Sequence, residues 1–173
     1  GVGDMNSEGD AYQHYWIGIA FQEKGMEANA LDQYQRAVKI DPAHEEALRG
    51  LAGIYAARGR DDDAIEVGRQ LLGYYPDRDD VRLIVADLFL KKTEYRRAIA
   101  FYEDLVPRRG DWAALHGRLA YAYLMSDAPT KAEAAYRRVL ELKPDSLLVR
   151  HQLAQVYQSH GSNAEALREY RTL

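Results

Sequence analysis

A period of 34 residues constrains this chain more than any other feature. Five alanines recur at this spacing without an insertion: Ala30, Ala64, Ala98, Ala132 and Ala166. A small residue (Gly18, Ala52, Ala86, Ala120, Ala154) and a bulky one three positions later (Phe21, Tyr55, Phe89, Tyr123, Tyr157) keep the same register. Self-similarity at a fixed period indicates stacked structural repeats, because one repeat alone cannot bury its apolar face.

The apolar spacing inside each repeat is helical, and no segment shows the strict alternation of a half-buried strand. Ile17 and Phe21 share one helix face, whereas Gly25, Gly59 and Gly161 mark breaks where a helix ends in a left-handed residue. The sequence therefore predicts an all-α chain with helices at 11–24, 28–41, 45–58, 62–75, 79–92, 96–106, 113–126, 130–143, 147–160 and 164–173.

This period and pattern resemble the tetratricopeptide repeat (TPR) family. The resemblance covers five repeats, at 11–44, 45–78, 79–112, 113–146 and a truncated 147–173, so that 163 of 173 residues form one TPR domain. It implies a right-handed α-solenoid, or superhelix, of antiparallel helix pairs in which the first helices line a concave groove. We expect residues 1–10 to be an N-terminal tail or vector remnant. We also expect a longer protein, because Leu173 falls on a normally buried repeat position without a capping helix.

Two departures from the repeat pattern carry expectations. Gly68 stands where the other repeats have Tyr34, Tyr102, Tyr136 and Tyr170, and should leave a notch. Replacing Gly68 by Ala should stabilise a helix, by up to about 1 kcal/mol. Pro107 removes a helical donor and disfavours helix at the preceding residue, so we expect the helix to end or kink near Val106, followed by a loop at 108–111.

Composition and motifs exclude several classes of function. Lys and Arg total 23 against 27 Asp and Glu, which disfavours nucleic-acid partners, and there is no cysteine. No apolar run approaches the roughly 18 residues of a membrane span, so direct membrane insertion is not expected. No histidine pair has metal-binding spacing, and no phosphate loop or nucleophile elbow occurs. We predict no catalysis, no metal and no cofactor, and interpret Asp61–Asp63 as capping a helix N-terminus.

The resemblance places the groove at the second, fifth, ninth, twelfth and thirteenth positions of each repeat. The candidate binding residues on this basis are Tyr12, Tyr15, Ile19, Arg49, Leu83, Asp87, Leu90, Tyr121, Leu124, Met125, His151 and Gln155. They would bind a protein or peptide segment, and support of the next repeat is the alternative role for each. Self-association of the chain is a further expectation. The carboxylate clamp of chaperone-tail receptors and the asparagine ladder of sugar-transferase superhelices are both absent.

The sequence thus predicts a non-catalytic interaction scaffold. Arg outnumbers Lys 17 to 6, which hints at a GC-rich bacterial source and hence at an adaptor in secretion, pilus, polysaccharide-export or organelle assembly, in the cytoplasm or periplasm. The alternative is the substrate-recruiting arm of a larger enzyme. Charge is uneven, at net −7 over residues 1–85 and net +3 over residues 86–173. Arginine pairs such as Arg96-Arg97 are expected on a solvated outer face, or facing a second, acidic partner.

Overall fold

The structure is a computed structural model that describes the backbone of residues 3–173 and the side chains of residues 8–173. Within these residues the predicted all-α fold is confirmed, with ten α-helices and no strand. The helices are α1 (Gly3–Glu23), α2 (Glu27–Ile40), α3 (Glu45–Ala57), α4 (Asp61–Tyr74), α5 (Asp79–Lys91), α6 (Tyr95–Arg109), α7 (Ala113–Met125), α8 (Pro129–Leu142), α9 (Leu147–Ser159) and α10 (Asn163–Arg171). Four of the helix pairs within repeats pack as hairpins: α1 with α2, α3 with α4, α7 with α8, and α9 with α10.

The turn inside every repeat contains one residue in the left-handed region. Gly25, Gly59 and Gly161 have φ of 72°, 70° and 73°, as the sequence predicted, and the equivalent Thr93 and Asp127 both have φ of 61°. The amide of the following residue reaches back to the helix, as in the 2.9 Å bond from the Glu94 amide to the Phe89 carbonyl. Such reversed bonds satisfy carbonyl groups that a helix end leaves unpaired. The turn geometry is therefore kept even where glycine is replaced.

The chain divides into two compact units, unit 1 (Gly1–Leu88) and unit 2 (Phe89–Leu173). In unit 1 the fully buried Tyr34 ring lies between two glycines. A β-carbon on Gly18 would come within 2.6 Å of this ring, and one on Gly50 within 2.7 Å. In unit 2 the equivalent Tyr102 and Tyr136 are also fully buried. In the first hairpin the tyrosine thus fills the space that glycines on α1 and α3 leave open.

Helix α1 begins at Gly3, eight residues before the predicted start at residue 11. Residues 3–10 contain no proline, and their acidic residues favour the positive N-terminal end of a helix. Ile17 is exposed, whereas Leu51 and Leu119 at the same repeat position are buried.

The predicted helix end before Pro107 is wrong, because α6 continues through Pro107 to Arg109. Pro107 lacks the amide that would donate to the carbonyl of residue 103, but the buried Leu105 anchors this last turn. The end of the helix is held by tertiary contacts: the Gly110 carbonyl lies 3.0 Å from Nε2 of His116. Local sequence preference is here overridden by packing.

The N-terminal caps also differ in part from expectation. Asp61, Asp62 and Asp63 lie in the first turn of α4, where carboxylates favour the helix dipole, but the N-cap residue is Arg60 and makes no side-chain cap bond. Asp63 instead accepts a hydrogen bond of 2.8 Å from the Arg60 guanidinium. The aspartates therefore do not occupy the N-cap position, although their negative charge lies at the helix N-terminus as expected.

Candidate protein-binding surfaces

The first candidate surface in unit 1 is the aromatic face of α1. Tyr12 is exposed, whereas Tyr15 and Ile19 are half-buried. The rings of Tyr12 and Tyr15 lie 4.4 and 5.4 Å from the buried His44 ring, and Tyr15 stacks on Tyr34 at 6.0 Å. Tyr15 therefore supports the hairpin core, while Tyr12 keeps about half of its surface free.

Arg49 on α3 is held by carboxylates of its own unit. Its guanidinium donates to Asp80 at 2.8 Å and to Glu45 at 3.0 Å, and Arg78 donates to Glu45 at 2.7 Å. The Arg78 hydrogen bond is the main reason that the pKa of Glu45 lies below its usual range, and the Arg49 bond does the same for Asp80. This network ties α3 to α5, so Arg49 acts there as an intramolecular link and not as an unpaired cation.

An apolar cavity of about 250 Å³ lies between α3, α4 and α5 of unit 1. It is at the position of the notch predicted at Gly68. Its walls include Ala52, Gly53, Gly68, Val81, Ile84 and Val85, with Arg49 at its edge. Gly53 and Ile84 are exposed, so the cavity opens to solvent beside them. The predicted site residues Leu83 and Asp87 are half-buried on α5 and are not among its walls.

The structure reverses the expectation that Gly68→Ala is stabilising. A β-carbon on Gly68 would lie 2.6 Å from a methyl carbon of Val85. Val85 is fully buried and β-branched, so it has little freedom to move aside. The gain in helix propensity is therefore opposed by a steric clash, which the sequence pattern alone does not reveal.

In unit 2 the candidate surface is one face of α7. Tyr121, Leu124 and Met125 are 43%, 38% and 47% exposed, whereas Leu115, Leu119 and Ala122 on the same helix are buried. The Tyr121 ring meets Tyr95 edge-on at 6.4 Å. Desolvation, and then the neighbouring Tyr121, raise the pKa of the Tyr95 hydroxyl. This face therefore presents large apolar side chains to solvent.

A second cavity, of about 420 Å³, brings together some of the predicted residues of unit 2. Leu90 and Tyr121 line it together with Leu148, which is 68% exposed. Leu124 and Met125 lie outside its walls. His151 and Gln155 are exposed on α9, also outside the cavity, and the His151 ring lies 5.9 Å from Tyr170. The twelve predicted residues thus do not form one continuous site within either unit.

Sequence reasoning missed Ile84 and Val81, which line the unit 1 cavity, and Tyr95, which supports Tyr121. The available signal was the missing aromatic at Gly68, because the residues around an absent ring become the walls of a cavity. Across the described residues no helix is both long and apolar enough to cross a membrane. The same part of the chain holds no group of three or more His, Asp or Glu side chains arranged for a metal ion.

Comparison with known proteins places this geometry in context. The family model for the tetratricopeptide repeat matches residues 15–80 and 85–146. The chain is 44% identical over 45 residues to the probable biofilm formation methyltransferase WspC of Pseudomonas aeruginosa, covering 26% of this chain and 11% of WspC. It is 33% identical over 72 residues to the photosystem I assembly protein Ycf3 of Synechococcus sp. CC9605, covering 40% of this chain and 42% of Ycf3. It therefore spans less than half of either relative.

Solved structures show the same fold at low sequence identity. MamA from Desulfovibrio magneticus RS-1 has a TM-score of 0.77 at 18% identity, covering 94% of this chain and 92% of that one. YrrB, a TPR protein with an unusual peptide-binding site, has a TM-score of 0.79 at 15% identity, covering 95% and 84%. The repeat period, the helix hairpins and the family match agree, and the fold is consistent with a protein–protein interaction scaffold. The chain belongs to the tetratricopeptide repeat family of α-solenoid proteins.

Proposed function

We propose that this chain is a non-catalytic interaction module that binds protein segments through its first helices and works as an adaptor in a bacterial multi-protein assembly. The observation that carries this proposal is the exposed stripe of Tyr121, Leu124 and Met125 on α7. Aromatic and Met side chains supply large contact areas and are over-represented at interfaces. The opposite face of the same helix is buried, so the stripe is not needed for the hairpin core.

The relatives support an assembly role without identifying the partner. Ycf3 is a photosystem I assembly protein, and YrrB has a peptide-binding site. The first is similar to this chain in sequence over 72 residues, and the second is similar in fold. A module that holds two or more proteins together needs binding surfaces but no reactive groups, which fits a chain whose exposed apolar side chains are its most distinctive surface feature.

The second candidate is the recruiting arm of a larger enzyme. It is favoured by the WspC match, in which a methyltransferase shares only 11% of its length with this chain. In that arrangement the repeats would position a substrate protein, and the chemistry would belong to a separate domain. The full-length reading frame distinguishes the two candidates, since a catalytic domain next to the repeats supports the second.

The test compares the purified wild-type chain with a Tyr121→Ala, Leu124→Ala double variant as bait in lysates of the source organism. Proteins captured by the wild type alone are then purified, and their Kd values are measured by calorimetry. Removing two interface anchors should weaken binding at least about tenfold. Far-UV circular dichroism should stay unchanged, because both side chains lie on the exposed face of α7.

An Arg96→Ala, Arg97→Ala variant serves as the matched control, since these residues lie on the exposed face of the second helix α6. It should bind the captured protein as the wild type does. If the control loses binding and the α7 variant keeps it, the α7 surface is not the binding site. The arginine face would then be the better candidate, with an acidic partner.

A further inference from the structure

We infer that the unit 1 cavity is a binding pocket for a phenylalanine side chain on a basic segment of a partner protein. This inference rests on the proposed binding function and adds to it the chemistry of one contact. It begins from a break in the repeat pattern: three hairpins bury a tyrosine, at Tyr34, Tyr102 and Tyr136, where the second hairpin has Gly68. The space normally filled by the chain's own ring is a cavity of about 250 Å³.

The walls of the cavity correspond to the residues that hold Tyr34 in the preceding hairpin. Tyr34 touches the sites of Gly18 and Gly50. One period later these sites are Ala52 and Ile84, and both line the cavity. An apolar cavity of about 150 Å³ is large enough to bind benzene in another protein. The unit 1 cavity therefore has both the surroundings and the size for a single aromatic ring.

The glutamine that accepts the tyrosine hydroxyl proton in the first and fifth repeats has no counterpart here. Tyr34 donates its hydroxyl proton to Gln22 at 2.7 Å, and Tyr170 donates to Gln158 at 3.3 Å. The residue equivalent to these glutamines in the second repeat is Ala56, which lines the cavity. A buried hydroxyl without a partner is unfavourable, so a phenyl ring fits this pocket better than a phenol.

Charge determines which segment would carry the ring. Residues 1–88 hold 9 Lys and Arg against 17 Asp and Glu, a net charge of −8. Asp80 lies one turn before Ile84 on α5, where Arg49 pairs with it, and Asp87 lies about one turn after Ile84. A segment with Lys or Arg beside its phenylalanine is complementary to the net negative charge of unit 1.

The pocket is also protected from collapse. Val85 occupies the volume in which a β-carbon on residue 68 would lie, 2.6 Å from its methyl carbon. The Arg49–Asp80 ion pair of 2.8 Å links the two first helices that form the walls. The Val85 contact fixes the spacing of α4 and α5, and the ion pair fixes that of α3 and α5, so the pocket is formed before the ligand arrives.

The test is a titration of the ¹⁵N-labelled chain with acetylated and amidated pentapeptides, followed through the amide signals of Gly53 and Gly68. The Lys-Gly-Phe-Gly-Lys peptide should produce saturable shifts at both signals. The peptide with Ala in place of Phe should bind at least tenfold more weakly. Binding of the Tyr peptide, and of a Glu-Gly-Phe-Gly-Glu peptide, should each be severalfold weaker than that of the first peptide.

Gly53→Leu should close the pocket and remove these shifts at Gly68. A β-carbon at Gly53 meets nothing within 4 Å, so the fold is expected to tolerate the change. Gly73→Leu is the matched control, because Gly73 is equally open, lies on the adjacent α4 and does not line the cavity. It should leave peptide binding unchanged.

Equal affinity for the Phe and Ala peptides, absence of saturable shifts, or wild-type binding by Gly53→Leu would each overturn the inference. These outcomes are separate from those of the function test. A captured partner that is lost with the α7 double variant but bound normally by Gly53→Leu would leave the proposed function intact and refute the pocket. Loss of that partner with Gly53→Leu, and not with Gly73→Leu, would support the pocket.

Discussion

Thr93 is the residue whose replacement tests the turn geometry most directly. It occupies the left-handed turn position between α5 and α6 with φ of 61°, where three other repeats have glycine. Its side chain is exposed, and the turn keeps the backbone bonds of the glycine turns, including 3.0 Å from the Thr93 amide to the Leu90 carbonyl. Thr93→Gly should therefore relieve backbone strain without removing a buried contact.

The magnitude follows from two opposing terms. A non-glycine residue in the left-handed region costs roughly 1–2 kcal/mol, and a β-branched side chain is a poor choice there. Replacement by glycine lowers the free energy of unfolding by about 0.4–1 kcal/mol, because it makes the unfolded chain more flexible. The expected net gain in the free energy of unfolding is therefore about 0.5–1 kcal/mol, or a rise in Tm of about 1–4 °C for a chain of this size.

Urea denaturation monitored by circular dichroism at 222 nm provides the measurement, with Thr93→Ala as the control. Alanine removes the β-branch but keeps the strain of a β-carbon at positive φ, so Thr93→Ala should raise the free energy of unfolding less than Thr93→Gly does. The reverse change, Gly59→Thr, should destabilise, since Gly59 has φ of 70°. If Thr93→Gly were neutral or destabilising while Thr93→Ala stabilised, positive φ would not be the source of the strain.

Three further predictions concern the core and the effect of pH. Ala98→Trp should destabilise by about 3 kcal/mol or more, because Ala98 is fully buried on α6; a denaturation curve that does not move would contradict the repeat register. Gly68→Ala should lower the denaturation midpoint, and the added change Val85→Ala should recover part of that loss by removing the clash, as a double-mutant cycle would detect. Desolvation, and then the 2.5 Å hydrogen bond to Glu103, raise the pKa of Tyr123. Above about pH 10 the unfolded chain therefore loses this proton before the folded chain does, and the free energy of unfolding falls as pH rises. Absorbance at 295 nm should show that ionisation of this tyrosine is delayed in the folded chain only.

Much of the fold could be predicted from the sequence because the repeat signals are local and periodic. Apolar spacing located all ten helices, nine of them starting within one residue of the expected position, and Gly25, Gly59 and Gly161 marked the turns correctly. Tyr12 and Tyr121 are also exposed, as a binding role would require, although exposure alone does not test that role. These features depend on helix geometry and on which residues tolerate positive φ, which neighbouring residues in the chain already determine.

Tertiary structure decided what depends on neighbours distant in sequence. Pro107 stays within α6 because the buried Leu105 and the contact of His116 with Gly110 hold the last turn. The missing ring at Gly68 leaves an open cavity instead of collapsing, because Val85 and the wall residues of α3 and α5 keep their places. A sequence pattern records that a side chain is absent. Whether the resulting space is filled, closed or left accessible to a partner depends on close packing in three dimensions.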